Sequence, residues 1–282
     1  MTLKKMFQKL SDIEMHHMQC MLAQNLELAC LTVVDHPDAA GLVRLTATVS
    51  CSHQHMVSGI MTTFKCTAGL ITGTIFPIIL DAIQLQDVEL INVVYGQIAQ
   101  HIDEMSREST NTEQKFRDLQ SIIKKNIGDV NEVLKQMQLH NTGTATEAGL
   151  GKFQGLRTAV QCLDDLERPI TRIIQFWKDM SQTFSLLQDN MPATLEPNKI
   201  KIEQRRQDFR KAVKNVESDW KNFEKICNDH VRDNDTEILN LYDFLSSSFN
   251  QTSIDERIAR ERVLRSAVSA NTDVHSESGG YN

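Results

Sequence analysis

The segment "LQDVELINVVYGQIAQHIDEM" (85–105) decides the fold class, because its apolar residues recur at alternating steps of three and four. The series runs through Leu85, Val88, Ile91, Tyr95, Ile98, Ile102 and Met105, and continues in phase past Ser109 and Thr112 to Phe116, Leu119, Ile123, Ile127, Val130, Leu134 and Met137. A seam with this period keeps one side of a helix turned toward partner helices. We therefore predict one helix over 81–139, about 80 Å long.

Further helical patterns follow this segment. A second long helix is predicted over 156–187, with a break near Arg168 because Pro169 lies inside it. The Gly- and Thr-rich stretch 140–155 and the Pro-marked stretch 189–198 are predicted to be loops. A third helix is expected over 199–232, and a shorter one begins at Asp235 or Thr236. Together these patterns predict an all-α, elongated antiparallel helical bundle with very long helices.

The N-terminal part of the chain has a different character. Residues 2–34 fit one helix, closed by "DHPDAAG" (35–41), and Lys65 carries the only formal charge in 45–80. Within this span "LTATVSCS" (45–52) alternates strictly, which favours a half-buried strand. The predicted division is 1–44, a helix and turn; 45–80, an apolar insert forming a helical or β hairpin; 81–268, the bundle; and 269–282, a disordered tail.

The uncharged stretch 66–80 is too short for a transmembrane helix, which needs about 20 residues. Its threonines and Pro77 also argue against a permanent span. Gly69 and Gly73 have the spacing that lets helices approach closely in membranes. Three interpretations remain open for the insert: a buried core helix, a segment that enters membranes, or an apolar protein interface.

Composition limits the classes of function. The chain has 282 residues, a net charge of −7 and a pI near 5.7, which argues against nucleic-acid binding. Its six cysteines include no C-x-x-C pair, so free thiols in a reducing compartment are expected. No secretory signal peptide is recognisable at the start. We expect a protein made in soluble form, either cytoplasmic or released by a non-classical route and membrane-associated when it acts.

No catalytic motif is present. The sequence lacks H-E-x-x-H, G-x-S-x-G, the phosphate-binding G-x-x-x-x-G-K-[ST] and the dinucleotide-binding G-x-G-x-x-G. His53 and His55 are interpreted as loop histidines, since no carboxylate or thiol follows them at a helical spacing. We therefore expect no enzymatic activity, no cofactor and no metal.

Long seamed helices, a short apolar insert and the segment "LDDLERPITRIIQFWKDMSQTFSLLQDN" (163–190) together resemble one family. This family is the α-helical pore-forming toxins of the cytolysin A and haemolysin BL type. The segment 163–190 looks like the late bundle helix of that family, and 81–139 matches the helix after its membrane-contacting head. In that family long helices precede the head, whereas here only about forty residues do.

The resemblance implies a protein that inserts the 45–80 hairpin into a lipid membrane while several copies associate along their helices. The residues expected to contact acyl chains are Ile60, Phe64, Leu70, Ile71, Ile75, Phe76, Ile78 and Ile79. Flexibility is expected at Gly59, Gly69 and Gly73, with a bend at Pro77. The alternative is a non-enzymatic coiled-coil structural or interaction protein in which the insert is core or a docking face.

Overall fold

The structure is a computed structural model that describes residues 3–11, 13–140, 147–194, 203–234 and 240–246. Within these ranges the chain forms eight α-helices. They are α1 (Leu3–Ser11), α2 (Met15–Thr32), α3 (Pro37–Leu70), α4 (Phe76–Leu85), α5 (Val88–His140), α6 (Glu147–Asp164), α7 (Glu167–Thr194) and α8 (Glu203–Asn234). A π-helical turn, Ile71–Ile75, joins α3 to α4, and a 3-10 turn covers Asp243–Leu245.

The described residues contain no strand, so the prediction of an all-α helical bundle is confirmed. The helix predicted from the apolar seam is α5, which starts at Val88 rather than Asp81. From Ile91 to Val130 most seam positions are buried, including the polar Ser109 and Thr112. Their hydroxyls donate to the carbonyls of Met105 and Glu108 four residues back, so the seam stays helical through them.

The strand predicted for 45–52 is wrong, and the hairpin predicted for 45–80 is absent. Residues 37–85 form one uninterrupted helical run with no turn inside 45–80. In the alternating segment "LTATVSCS", the hydroxyls of Thr46 and Thr48 donate to the carbonyls of Leu42 and Arg44 four residues back. Threonine can satisfy its hydroxyl within a helix in this way, so its presence does not require a strand. The same result corrects the loop expected at His53 and His55, which lie within α3.

Pro77 accounts for the π-helical turn that precedes it. A proline inside an α-helix lacks an N–H donor, and its ring clashes with the carbonyl four residues back, here that of Gly73. The wider turn at Ile71–Ile75, closed by a bond from the Phe76 N–H to the Ile71 carbonyl, moves that carbonyl aside. The chain therefore stays helical through Pro77, the position at which the sequence predicts a bend.

A tight corner separates α4 from α5. Gln86 adopts a left-handed conformation with φ 59°, and the Asp87 N–H bonds back to the Ala82 carbonyl at 2.9 Å, which closes α4. The Asp87 carboxylate then accepts the Leu90 N–H at 2.9 Å and caps the start of α5. We call the residues Leu85–Val88 the α4–α5 corner.

Other boundaries differ from the sequence expectations in specific ways. The single helix expected over 2–34 is two helices, α1 and α2, separated around Ile13. The break expected near Arg168 is confirmed at 165–166. Residues 147–155, expected to be loop, belong to α6. Of the short helix expected after 235, the described residues form only the Asp243–Leu245 turn, and the predicted bundle beyond 246 and the tail predicted for 269–282 lie outside the described residues.

The chain divides into two compact units. The first contains residues up to Gln19, Ser52–Gln120 and Arg168–Leu239. Its core holds a cluster of aromatic rings whose closest pairs are Phe184–Phe223 at 5.2 Å and Phe64–Phe184 at 5.5 Å between centroids. The cluster also includes Phe7, Trp177 and Trp220. It joins α1, α3, α7 and α8 around Phe64.

The second unit contains Cys20–Cys51, Ser121–Glu167 and the segment from Asn240 onward. Polar side chains tie its elements together. The buried Asn126 amide of α5 donates to the Thr46 hydroxyl of α3. The Tyr242 hydroxyl lies 2.7 Å from the Ser50 hydroxyl, and the Arg44 guanidinium donates to the Leu245 carbonyl. These bonds fasten 240–246 to α3.

Candidate membrane-contact site

The eight residues expected to contact acyl chains divide between core and surface. Phe64, Ile71, Ile75, Phe76 and Ile79 are buried, and Ile60 is half-buried. Leu70 and Ile78 are exposed, at 45% and 38%. In this conformation, therefore, only part of the predicted contact surface is accessible from solvent.

The four positions expected to be flexible all lie on helices. Gly59 and Gly69 are in α3, Gly73 is in the π-helical turn, and Pro77 is in α4. Gly59, Gly73 and Pro77 are exposed. A side chain at Gly59 or Gly73 would meet no atom within 4 Å, so packing does not require glycine at either position.

The solvent-facing side of α3 and α4 in the first unit is almost free of charge. We call its exposed residues the uncharged face; they are Ser52, His55, Gly59, Thr62, Thr63, Cys66, Leu70, Gly73, Thr74, Pro77, Ile78, Asp81, Gln84 and Leu85. Asp81 is the only Asp, Glu, Lys or Arg among them. Lys65, the other charge in this stretch, is partly covered.

Helix α8 of the same unit shows what an ordinary solvated face looks like in this protein. Its exposed residues include Glu203, Arg205, Asp208, Arg210, Lys211, Lys214, Lys221 and Lys225. Charged side chains normally dominate such a face because they keep their hydration. The uncharged face of α3 and α4 departs from this pattern over more than thirty residues, although both faces belong to one compact unit.

Large apolar side chains collect at the end of the uncharged face, around the α4–α5 corner. Leu85 is 76% exposed, and Val93 and Leu90 on the first turns of α5 are 61% and 37% exposed. Sequence reasoning assigned Leu85 to the buried seam and did not single out the other two. The available signal was that Leu90 and Val93 are apolar residues outside the seam, which contains Ile91 and Tyr95 in this region. We call Leu70, Ile78, Leu85, Leu90 and Val93 the apolar corner.

Two hydroxyls on or beside the uncharged face are satisfied within the protein. Thr63 donates to the Gly59 carbonyl at 3.0 Å. Thr72 lies 2.9 Å from both the Ala68 carbonyl and a carboxylate oxygen of Glu224 on α8. A hydroxyl bonded to its own helix keeps its partner when water is removed, so it lowers the cost of moving the helix surface into an apolar environment.

Within the described residues, one helical run meets the length and composition of a membrane-spanning helix. It is Pro37–Leu85, which includes a window of mean hydropathy 1.7 that is 44% buried. Core helices of water-soluble proteins reach similar values, so this finding gives only weak support for membrane contact.

The titratable groups of the described residues do not meet the requirements of a metal site. No group of three His, Cys, Asp or Glu side chains there could hold a metal ion. Burial lowers the pKa of His53, whose ring packs 5.5 Å from that of Phe116. Burial likewise raises the pKa of the Cys30 thiol to about 12 and that of the Cys227 thiol further. Burial therefore favours the neutral form of each of these groups.

Comparison of the chain with protein-family models, curated proteins and solved structures finds no match. The resemblance of 163–190 and 81–139 to the cytolysin-type toxins therefore stays a prediction.

Proposed function

We propose that this is a non-enzymatic helical protein that binds lipid membranes through the apolar corner and the adjoining uncharged face. The observation that supports this most strongly is the exposure of Leu85 and Val93 beside the uncharged face. Exposed apolar patches often mark sites of contact with a protein or a membrane.

The size of the contact can be worked from the exposure of the corner side chains. Burying a Leu or Val completely is worth about 1.5–3 kcal/mol. Leu85 and Val93 are both more than half exposed, so their transfer from water contributes about 2–4 kcal/mol together. That range corresponds to a factor of about 30 to 1,000 in a partition coefficient.

Insertion and oligomerisation form the second part of the proposal, and they rest on the resemblance to the pore-forming toxins. The five buried residues of the predicted contact set would reach acyl chains only after leaving the core of the first unit. Since Phe64 packs against Phe184, Trp177 and Phe223, this step requires separation of α3 from α7 and α8. Membrane attachment through the corner would come first, and several copies would then associate along their helices.

Flotation with phosphatidylcholine liposomes tests membrane binding. The informative variant is Leu85→Glu/Val93→Glu, and the matched control is Leu45→Glu, because Leu45 is 59% exposed but lies outside the corner. We expect the native chain and the control to float and the corner variant to remain in the dense fraction. All three substitutions are at exposed positions, so circular dichroism should show the same helix content. No flotation of the native chain, or equal flotation of the corner variant, would refute the proposal.

The second candidate function is a structural or interaction protein in which 45–80 is core. Burial of Phe64, Ile71, Ile75, Phe76 and Ile79 favours it. Dye release from liposomes separates this candidate from the insertion step. Release that is abolished by Ile75→Asp in a chain that still floats supports insertion. A chain that never releases dye, and that unfolds when Ile75 is charged, supports the core role.

A further inference from the structure

A groove of about 420 Å³ opens between α3 and α5 in the first unit. Its apolar floor is formed by Met56, Ile60, Phe64 and Met105, of which Phe64 and Met105 are buried. Pockets that hold small organic ligands occupy about 300–1,000 Å³ and have mainly apolar walls with a few polar groups. The groove has the size and floor of a ligand site.

The two walls of the groove differ in charge. On α3 the lining residues include Gly59, Thr63 and Thr67 and no charged group. The Thr63 hydroxyl is already bonded to the Gly59 carbonyl, so this wall offers the ligand mainly apolar contact. The space beside Gly59 is empty, since a Cβ added there would meet no atom within 4 Å.

The α5 wall carries charges of both signs. Glu104 lines the groove one turn before the adjacent residues Arg107 and Glu108, together with His101, whose Nδ1 lies 3.7 Å from a Glu104 oxygen. Arg107 and Glu108 are exposed, and in the described part of the chain neither side chain forms an ion pair. A guanidinium is suited to a phosphate group, and carboxylates attract an ammonium group.

We infer that this groove binds one single-chain zwitterionic phospholipid or a similar amphiphile. The acyl chain lies on Ile60, Phe64 and Met105, the phosphate meets Arg107, and the quaternary ammonium lies near Glu104 and Glu108. Charge complementarity selects this occupant, because a cation flanked by two carboxylates matches a head group that carries both signs. The groove shares Gly59 and Thr63 with the uncharged face but contains no residue of the apolar corner, and a single lipid molecule can bind in it without a bilayer.

Calorimetric titration of the full chain with lauroyl lysophosphatidylcholine, below its critical micelle concentration, tests the inference. Dodecyl maltoside and dodecyl sulfate supply a similar chain with an uncharged or an anionic head group, and phosphocholine supplies the head group alone. We expect the lysolipid to bind at least tenfold more tightly than each of the others. Equal affinity for all the single-chain amphiphiles would show a nonspecific apolar surface and overturn the inference, as would no measurable binding.

Substitutions locate the site. Gly59→Phe should fill the groove and abolish lysolipid binding, whereas Gly59→Ala should preserve it. Gly128→Phe is the matched control, since Gly128 is also exposed and unobstructed on a helix. Arg107→Gln should reduce lysolipid affinity to that of dodecyl maltoside without changing maltoside binding. Native affinity in Gly59→Phe would overturn the assignment, and this result would leave the flotation test of the corner unaffected.

Discussion

Gly155 in α6 offers a direct test of the packing in the second unit. A Cβ placed on Gly155 would lie 2.4 Å from the carbonyl oxygen of Thr32 at the end of α2. Carbon–oxygen contacts ordinarily lie at about 3.3–3.6 Å. Because the obstructing atom belongs to the backbone, α6 and the end of α2 must separate by about 1 Å to admit even an alanine. We therefore expect Gly155→Ala to destabilise the protein.

Two opposing effects set the size of this change. Overpacking a well-packed contact costs about 1–3 kcal/mol. Replacing glycine by alanine within a helix returns about 1 kcal/mol, so the net change for Gly155→Ala ranges from neutral to about 2 kcal/mol less stable. At Gly128 of α5, where a Cβ meets nothing within 4 Å, the same substitution should stabilise by about 1 kcal/mol. The difference in unfolding free energy between the two variants is therefore the cost of the close contact with Thr32, about 1–3 kcal/mol.

Urea unfolding followed by circular dichroism compares the two variants with the native chain. Gly155→Ala should unfold at a lower urea concentration than Gly128→Ala, by about 0.3–1 M if the slope is near 3 kcal/mol per M. Native-state hydrogen exchange should localise the loss to the amides of α6 and α2. Equal stabilisation by both substitutions would show that α6 does not approach Thr32 closely, and would refute the packing described for the second unit.

Three further predictions concern single side chains. Burial lowers the pKa of His53 below its ordinary value of 6.5, so this histidine takes up a proton in the unfolded chain before it does so in the folded protein as pH falls. The free energy of unfolding should therefore decrease from pH 7 to pH 5, and it should decrease less in His53→Gln. Urea unfolding midpoints measured at each pH test this prediction. The exposed Cys66 thiol should react with a disulfide reagent in the folded protein, whereas the buried Cys227, whose pKa is raised, should react only after unfolding. Lys9→Met should cost about 2–4 kcal/mol because it removes the ammonium 2.7 Å from the buried Asp179 carboxylate and leaves that oxygen only the Gln175 amide, and adding Asp179→Asn should recover most of this loss in the same assay.

The long helices could be predicted from sequence because their signal is local and repeated. Each apolar residue of α5 supports the same period, so a few polar positions such as Ser109 and Thr112 do not hide it. The break at 165–166 was also accessible, since Pro169 fits best in the first turn of a new helix. The exact start of α5 could not be predicted from the sequence, because it depends on the left-handed conformation of Gln86.

The structure of 45–80 was mispredicted because two weak local signals favoured another conformation. Alternating Thr and Ser residues are typical of strands, and charge-poor segments with glycine are typical of turns or hairpins. Helical structure at Thr46, Thr48 and Thr72 depends on hydroxyl bonds to carbonyls in the preceding turn. It also depends on packing of Phe64 among rings from α7 and α8, more than one hundred residues away in the chain. Neither the hydroxyl bonds nor the packing of Phe64 can be predicted from a short stretch of sequence.

The composition of the sequence identified the segment that contains the candidate site, but it did not show which residues of that segment are exposed. The near absence of charge in 45–80 drew attention to this segment. Which of its residues are exposed depends on which of them the other helices cover. Leu70 and Ile78 remain outside, whereas Ile71 and Ile79, one residue further along, are buried. The wider turn at Ile71–Ile75 shifts the phase of the helix between the two pairs. A prediction from composition alone therefore combines exposed and buried residues in one contact set.

The position of Asp81 determines how deep a first membrane contact can be. Asp81 lies on the uncharged face between Ile78 and Leu85, and the exposed Asp87 and Glu89 follow at the corner. A carboxylate at the centre of a bilayer costs about 2.5–3.5 kcal/mol on insertion scales. This cost is similar to the gain from burying Leu85 and Val93, so a contact that submerged Asp81 would gain little. The favoured arrangement keeps all three carboxylates at the head groups and places only the leucine and valine side chains among the acyl chains. If the proposed function holds, we therefore expect membrane binding through the apolar corner to be shallow and reversible as long as Phe64 stays buried in the core.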